Sequence, residues 1–406
     1  MRFPEFEDEW RSFSFRNIVQ MFSGGTPSMR SLEYWGGDIP FISAASMHDA
    51  FISKSDQYIT QEGLQNGSKL LKKGNLLLLV RGSMLWNRIP VCYNTIDIAF
   101  NQDVKGLVTN DKTSALFMFY WLQSKESILK YKVTGTGIGA GKLDSADILD
   151  LLVILPYNAE QSKIEKLLSL IDERVTAQSK IIAQLQTLMQ GLGEQLFKQQ
   201  IQVKDEKGND FPDWEEKGLG EVGETYNGLS GKSKDNFGRG ERYIQYKQIF
   251  DSSKIKIEGC GLVDVSESEN QNRVQYGDVF FTTSSETPEE IGMSSVLLDA
   301  VEDMYLNSFC FGFRPNSLEI LNPQFAQYFF RSEIFRSDVI TLAQGSTRYN
   351  LSKIEFLKLP IKLPCLEEQA LIANFLASID EKIETEKKIL QQYESQKKHL
   401  LQNMFI

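Results

Sequence analysis

Histidine is almost missing from this chain: His48 and His399 are the only two in 406 residues. His399 lies in a lysine-rich helical end, and His48 sits in a Ser/Met/Ala loop with no cysteine or aspartate at metal-ligand spacing. No Ser–His–Asp arrangement can be assembled from so few imidazoles. Cysteine is also scarce. Cys92, Cys260, Cys310 and Cys365 form no CxxC or other close pair, so reduced thiols are expected rather than a disulfide frame. No apolar run approaches the roughly 18 residues that a membrane span requires. The opening Met1-Arg2-Phe3-Pro4-Glu5-Phe6-Glu7-Asp8-Glu9 is acidic where a signal peptide would be basic and then apolar. A cytoplasmic protein is the expectation. Basic residues fall short as well, at 44 against 54 acidic ones, and a net charge of −10 argues against a generic nucleic-acid binder.

A nucleotide-binding loop is another absence. Gly135-Thr136-Gly137-Ile138-Gly139-Ala140-Gly141-Lys142 is rich in glycine. A phosphate loop, however, needs glycine six residues before the lysine and Ser or Thr after it. Those positions hold Thr136 and Leu143. Two readings remain for this stretch: a tight turn, or a loop whose backbone N–H groups and Lys142 meet an external phosphate or base.

What the chain does have is a copy of itself. Phe3-Pro4-Glu5-Phe6 returns as Phe211-Pro212-Asp213-Trp214, and 211 − 3 = 208. Leu155-Pro156, Glu160-Gln161, Ile171-Asp172-Glu173 and Leu196-Phe197 return as Leu363-Pro364, Glu368-Gln369, Ile379-Asp380-Glu381 and Met404-Phe405, each again 208 residues on. Self-similarity at half the chain length predicts two copies of one unit in a pseudo-twofold arrangement. In each copy a mixed region comes first. Leu76-Leu77-Leu78-Leu79-Val80 and Val279-Phe280-Phe281-Thr282 read as buried strands after glycine turns, and Phe117–Leu129 and Phe325–Phe335 read as aromatic helical segments. A long one-sided helix follows. Ile164, Leu168, Ile171 and Leu185 mark the apolar stripe of the first, and Ile372, Leu376, Ile379 and Ile389 that of the second. About forty residues give a rod of ~60 Å. That exceeds the length one domain needs, which favours pairing of the two rods with each other, antiparallel, over packing on their own domains.

The expected class is therefore α+β: two tandem α/β domains separated by two long antiparallel coiled-coil helices. The expected boundaries are residues 1–157 for domain one, 158–200 for its helix, 201–210 for a polar linker, 211–364 for domain two, and 365–406 for the second helix.

Charge is unevenly placed. Residues 211–356 carry 14 basic and 23 acidic side chains, while residues 1–150 carry 16 of each. Within the acidic segment, Lys232, Lys234, Arg239 and Arg242 form a local basic stretch interleaved with Phe237 and Tyr243. Cations so spaced suit DNA phosphates, whereas the tyrosines are expected to face the core. Two further loops occupy matching places after the buried strands. The first carries Arg81, Ser83, Asn87 and Arg88, the second Thr283, Ser284 and Ser285. A third matching pair is Gly137 with Lys142 in the first copy, and Gly345, Ser346, Thr347, Arg348 and Tyr349 in the second. Matching frames with different loop chemistry suit two readers of different base sequences. The alternative is a scaffold with two globular heads on a coiled coil that does not read DNA.

The paired Leu-Pro, Glu-Gln and Ile-Asp-Glu segments, with Leu363-Pro364-Cys365-Leu366-Glu367-Glu368-Gln369-Ala370-Leu371-Ile372-Ala373 the clearest, resemble the repeated regions of specificity subunits of type I restriction-modification enzymes. Gly24-Gly25-Thr26-Pro27 looks like this family too, and the second half reads Leu229-Ser230-Gly231-Lys232 instead. The resemblance covers the whole chain. It implies two target-recognition domains, each reading half of a split, asymmetric site in double-stranded DNA, with the helices as a ruler across an unread spacer. It also implies two methyltransferase subunits that use S-adenosylmethionine to methylate adenine, and two restriction subunits driven by ATP. This chain itself is expected to be non-catalytic and to hold no cofactor or metal. It carries no Asn-Pro-Pro-aromatic signature of an amino-methyltransferase.

Overall fold

A computed structural model describes residues 2–137, 139–266 and 268–405. The chain divides into two compact units: residues 1–179 with 388–406, and residues 180–387. No helix among the described residues is long and apolar enough to cross a membrane.

In the first unit the run Leu76–Leu79 is the middle of a five-stranded sheet, between Val104–Thr109 and Val91–Asn94, with Val19–Ser23 and Phe51–Ile52 at the edges. All four leucines are fully buried, as a strand covered on both faces requires. A second sheet orders Gln57–Ile59, Trp35–Ile42, Ile98–Phe100 and Leu70–Leu71. Gly24 and Gly25 enter where no side chain fits. A Cβ on Gly24 would lie 2.0 Å from the Phe100 carbonyl oxygen, and one on Gly25 2.3 Å from that of Gly67. The Gly-Gly-Thr-Pro segment is thus a requirement of close backbone packing.

The second unit repeats this frame. Its larger sheet orders Gly223–Asn227, Cys310–Pro315, Val279–Thr282 and Ser294–Val296, and its smaller sheet orders Gly261–Val263, Phe237–Ile244 and Met304–Leu306. The shared irregularities are more telling than the shared strands. Trp35 and Ile39 both oppose Ile59 across a bulge, and Phe237 and Glu241 both oppose Val263 across another. Bulges are specific devices that re-aim a strand, so finding one at the same place in both copies marks common descent of the frame. The glycine of the first copy has its counterpart in Gly228, whose Cβ would lie 2.1 Å from the Asn307 carbonyl oxygen. The expected aromatic segments are each two helices, Ala115–Ser124 with Glu126–Tyr131, and Pro323–Phe329 with Glu333–Thr341. Ser114 and Asn322 cap the first of each pair by accepting from the N–H of Phe117 and Phe325.

The long helices run Asn158–Phe197 and Leu366–Met404. In the first unit the opening part of one and the closing part of the other lie antiparallel: the Lys397 ammonium meets Asp172 at 2.6 Å, and the Arg174 guanidinium lies 5.7 Å from the Tyr393 ring centre. Here the expectation that the rods pair instead of packing on their domains needs correction. Ile164, Leu168 and Ile171 share one core with the domain and with Leu400, Met404 and Phe405. In the second unit Ile372 and Leu376 share a core with that domain and with Leu196 and Phe197. Leu185, Ile379 and Ile389 are half-buried. A mixed domain leaves an apolar face open, and two helix ends cover it. The same ring contact closes both cores: Phe405 on Phe117 at 5.3 Å, and Phe197 on Phe325 at 5.7 Å. Both partners are related by the repeat, since 117 + 208 = 325 and 197 + 208 = 405.

Candidate nucleic-acid interface

Loops far apart in the sequence meet in one small ribbon in each unit. In the first, Arg81–Gly82 pairs with Gly141–Lys142, which pairs with Thr134–Gly135. Arg81 lies opposite Lys142. The ribbon turns through Gly137 and Gly139, at φ 82° and 78°, with open space around both. Glycine adopts that backbone with little strain, which is why the turn carries glycine at both positions. Ile138 lies outside the described residues. The Trp86 indole, nearly half exposed, donates to the Gly139 carbonyl at 3.0 Å and props the tip. Arg81 is exposed and carries no ion pair among the described residues. Its charge adds to burial in holding the Lys105 ammonium below the usual lysine range. That ammonium donates to the Ser23 hydroxyl oxygen. Lys142 pairs with Asp144 at 2.6 Å. Ser83 and Asn87 are exposed. Arg88 is directed elsewhere, to the Met47 carbonyl at 2.8 Å.

In the second unit Ser284–Ser285 pairs with Tyr349–Asn350. The two ribbons correspond, since 141 + 208 = 349 and 142 + 208 = 350. Ser284 and Ser285 are buried, and Thr283 is half-buried. The serines expected to face outward instead build the ribbon, because their backbones are occupied by its pairing. The exposed tip is Gly345-Ser346-Thr347-Arg348, with Gly345 at φ 132°. Arg348 is anchored by one atom: its Nε donates to Ser284 Oγ at 3.1 Å. The rest of the guanidinium fork remains for a planar acceptor pair.

The basic stretch divides. The Lys232 ammonium is only 5% exposed and donates to Glu269 and to the Asp264 carbonyl. It holds the Glu269 carboxyl down to about 2 and pins the loop after Val263. Arg239 pairs with Asp264 at 3.1 Å, and Arg242 donates to the Ile257 carbonyl at 2.6 Å. Lys234 alone of the four is exposed with neither an ion pair nor a carbonyl partner among the described residues. Tyr243 is buried, as expected, whereas Phe237 is more than a third exposed. Lys232→Met is expected to raise amide exchange across residues 264–274 and to leave the salt dependence of DNA binding unchanged. A shallower salt dependence in that variant would make Lys232 a phosphate contact instead.

These ribbons sit on a frame that known proteins share. The family described as Type I restriction modification DNA specificity domain matches this sequence twice, over residues 7–187 and 212–395. The chain belongs to that family. One curated relative, the type I restriction enzyme EcoR124I/EcoR124II specificity subunit of Escherichia coli, is 28% identical over 174 residues, 42% of this chain and 43% of its own length. The match thus spans less than half of that relative. The type I restriction enzyme MjaVIII specificity subunit of Methanocaldococcus jannaschii is 26% identical across 99% of this chain and 92% of its own length. Among solved structures, the type I restriction-modification S subunit from M. genitalium superposes with a TM-score of 0.56 at 15% identity, covering 100% of this chain and 99% of that one. A chain from a study of complex assembly and conformational transition in a type I R-M system gives 0.59 at 16% identity, covering 98% and 97%. At these identities the structural likeness is one of fold.

In this specificity protein the repeated motifs turn out to be joints between each domain and its helix. The Gln161 amide accepts from the Ser114 N–H at 3.2 Å and donates to the Pro156 carbonyl at 2.9 Å. Gln369 makes the same two bonds, with the Asn322 N–H at 2.8 Å and the Pro364 carbonyl at 2.9 Å. Glu160 accepts from two nitrogens of Arg2, Nε and Nη2, at 2.9 Å each and from the Trp10 indole at 3.1 Å. Glu368 has Trp214 but no arginine, because 2 + 208 = 210 is Asp210, and burial holds its carboxyl above the usual range. Asp172 accepts from the Tyr120 hydroxyl at 2.9 Å, whereas Tyr328 reaches Asp380 only at 3.5 Å. Burial pushes both phenols up. Tyr120→Phe is therefore expected to destabilise the first unit by ~1–2 kcal/mol, and Tyr328→Phe to have a smaller effect on the second. Thermal melting of the two variants measures this; equal losses would contradict it.

Proposed function

We propose that each unit reads one half of a split DNA sequence through its ribbon, and that the chain directs adenine methylation and restriction by partner subunits. The observation that supports this most is a ribbon built twice on one frame with different chemistry at the tips. The first tip offers backbone groups on a ribbon that carries Arg81; the second offers Ser346, Thr347 and Arg348. A shared frame fixes position, and differing tips read differing bases. The names of the relatives, specificity subunits of type I restriction enzymes, support a place in such a complex; partner methyltransferase subunits carrying S-adenosylmethionine and restriction subunits carrying ATP are the rest of the proposal. In this reading the two long helices set the unread spacer.

Lys232, Arg239, Arg242 and Arg88 are left out of the proposed surface, because their donors serve the fold. Arg81, Lys234 and Arg348 remain as its cations, with Lys142 beside Arg81 but paired to Asp144. DNA binding by the complex with a methyltransferase partner is expected to weaken steeply with salt, as phosphate neutralisation requires. Lys234→Ala is expected to lower the slope of log K against log salt by about one, uniformly on all sequences. Salt-independent binding, or none, would favour the scaffold with two heads.

A further inference from the structure

Besides the Arg2–Glu160 pair, the two domain–helix joints differ in one further group. In the first unit Asp172 Oδ1 meets the Lys397 ammonium at 2.6 Å and Oδ2 meets the Tyr120 hydroxyl at 2.9 Å. Lys397 also lies 5.7 Å from the centre of the Tyr120 ring. A phenol, a carboxylate and an alkylammonium thus close on one another, and the carboxylate and ammonium line a cavity of about 580 Å³.

The second unit has the same cavity, of about 510 Å³. Its wall corresponds position by position: 172 + 208 is Asp380, 124 + 208 is Ser332, and 402 − 208 is Glu194. The lysine has no counterpart, since 397 − 208 is Met189. Other cations on this wall are engaged. Lys387 pairs with Glu384 at 2.7 Å, and Arg331 donates to the carbonyls of Ser294, Ile249, Phe250 and Ser252. Among the described residues Asp380 receives the Gln327 amide at 3.4 Å and the Tyr328 hydroxyl at 3.5 Å, both on Oδ2 and both at the long end of the hydrogen-bond range. Glu194 and Glu333 add negative charge to the wall, partly offset by Lys198 at 4.0 and 2.5 Å.

We propose that this second cavity binds a primary ammonium on an alkyl chain, seated on Asp380 and beside the Tyr328 ring as Lys397 is seated on Asp172 and Tyr120. The chemistry is a charge-assisted hydrogen bond with a cation–π contact, in a recess long enough for a lysine-like stem. Two sources share it: a free diamine or polyamine, and a lysine side chain of a bound protein. Either would complete the cluster around Asp380 to match the one around Asp172.

Calorimetric titration of the full chain with 1,5-diaminopentane, and separately with Nα-acetyl-lysine amide, tests this. Saturable binding at one site is expected. It is lost in Asp380→Asn and also in Met189→Lys, whose own ammonium fills the place. Met189→Lys guards against simple misfolding, because it should melt at or above the wild-type temperature. Lys397→Met is expected to open a second, equivalent site in the first unit. Comparable binding of both probes assigns the source to a protein lysine; binding of the diamine alone assigns it to a free amine. Absence of saturable binding by either probe, or binding unaltered in both Asp380→Asn and Met189→Lys, overturns the proposal.

Discussion

Seven residues inserted between Ser179 and Lys180, with seven more between Lys387 and Lys388, are expected to lengthen the unread spacer of the methylated site and leave both half-sites unchanged. The insertion points fall where the chain passes between its compact units, so neither core is cut. Seven helical residues add ~10.5 Å, which equals about three base pairs of DNA rise. They fall only ~20° short of two full turns, so the apolar stripe keeps its facing along each helix. Methylation of the original site should collapse, because both ribbons can no longer reach their halves together. The modified-base map of DNA from cells expressing the variant with its partner decides the matter. New half-site sequences, or an unchanged spacer, would mean that the helices do not set the distance.

Arg348→Ala is expected to relax recognition of one half-site and spare the other. Its guanidinium is exposed, anchored at Nε by Ser284, and unpaired with any carboxylate among the described residues. A fork held this way suits the O6 and N7 of a guanine, a contact worth ~1–3 kcal/mol of discrimination, or roughly tenfold to a hundredfold. Competition binding with single-base variants of the site measures it. The loss should concentrate at one base pair of the half read by the second unit. A uniform loss on specific and non-specific DNA would reduce Arg348 to a phosphate contact.

The architecture was legible in the sequence because its signals were periodic. A step of 208 residues, a leucine run and two proline-free apolar stripes each carry their own structural meaning. The joints were visible as repeated letters but not as joints. Glu160, Gln161 and Asp172 act through partners 47 to 158 residues away, and no local pattern ties Gln161 to Ser114 or Asp172 to Tyr120. The site residues were legible by region only. Arg81 and Lys142 were both singled out, yet their position opposite each other follows from strand pairing between distant segments. Lys232 and Arg88 show the converse. Their charge is plain in the sequence, whereas its direction depends on which carbonyl or carboxylate the fold brings near. Ser284 and Ser285 were read as an exposed polar loop, because the strand that covers them, Tyr349–Asn350, comes from sixty-odd residues further on.

One measurement bears on the central claim most directly: a map of modified bases in DNA from cells expressing this chain together with its methyltransferase partner. The account predicts one split motif, asymmetric, with a methyladenine in each half on opposite strands and an unread spacer between them. A stable complex with the partner that leaves DNA unmodified, or methylation at a single undivided motif, would contradict it.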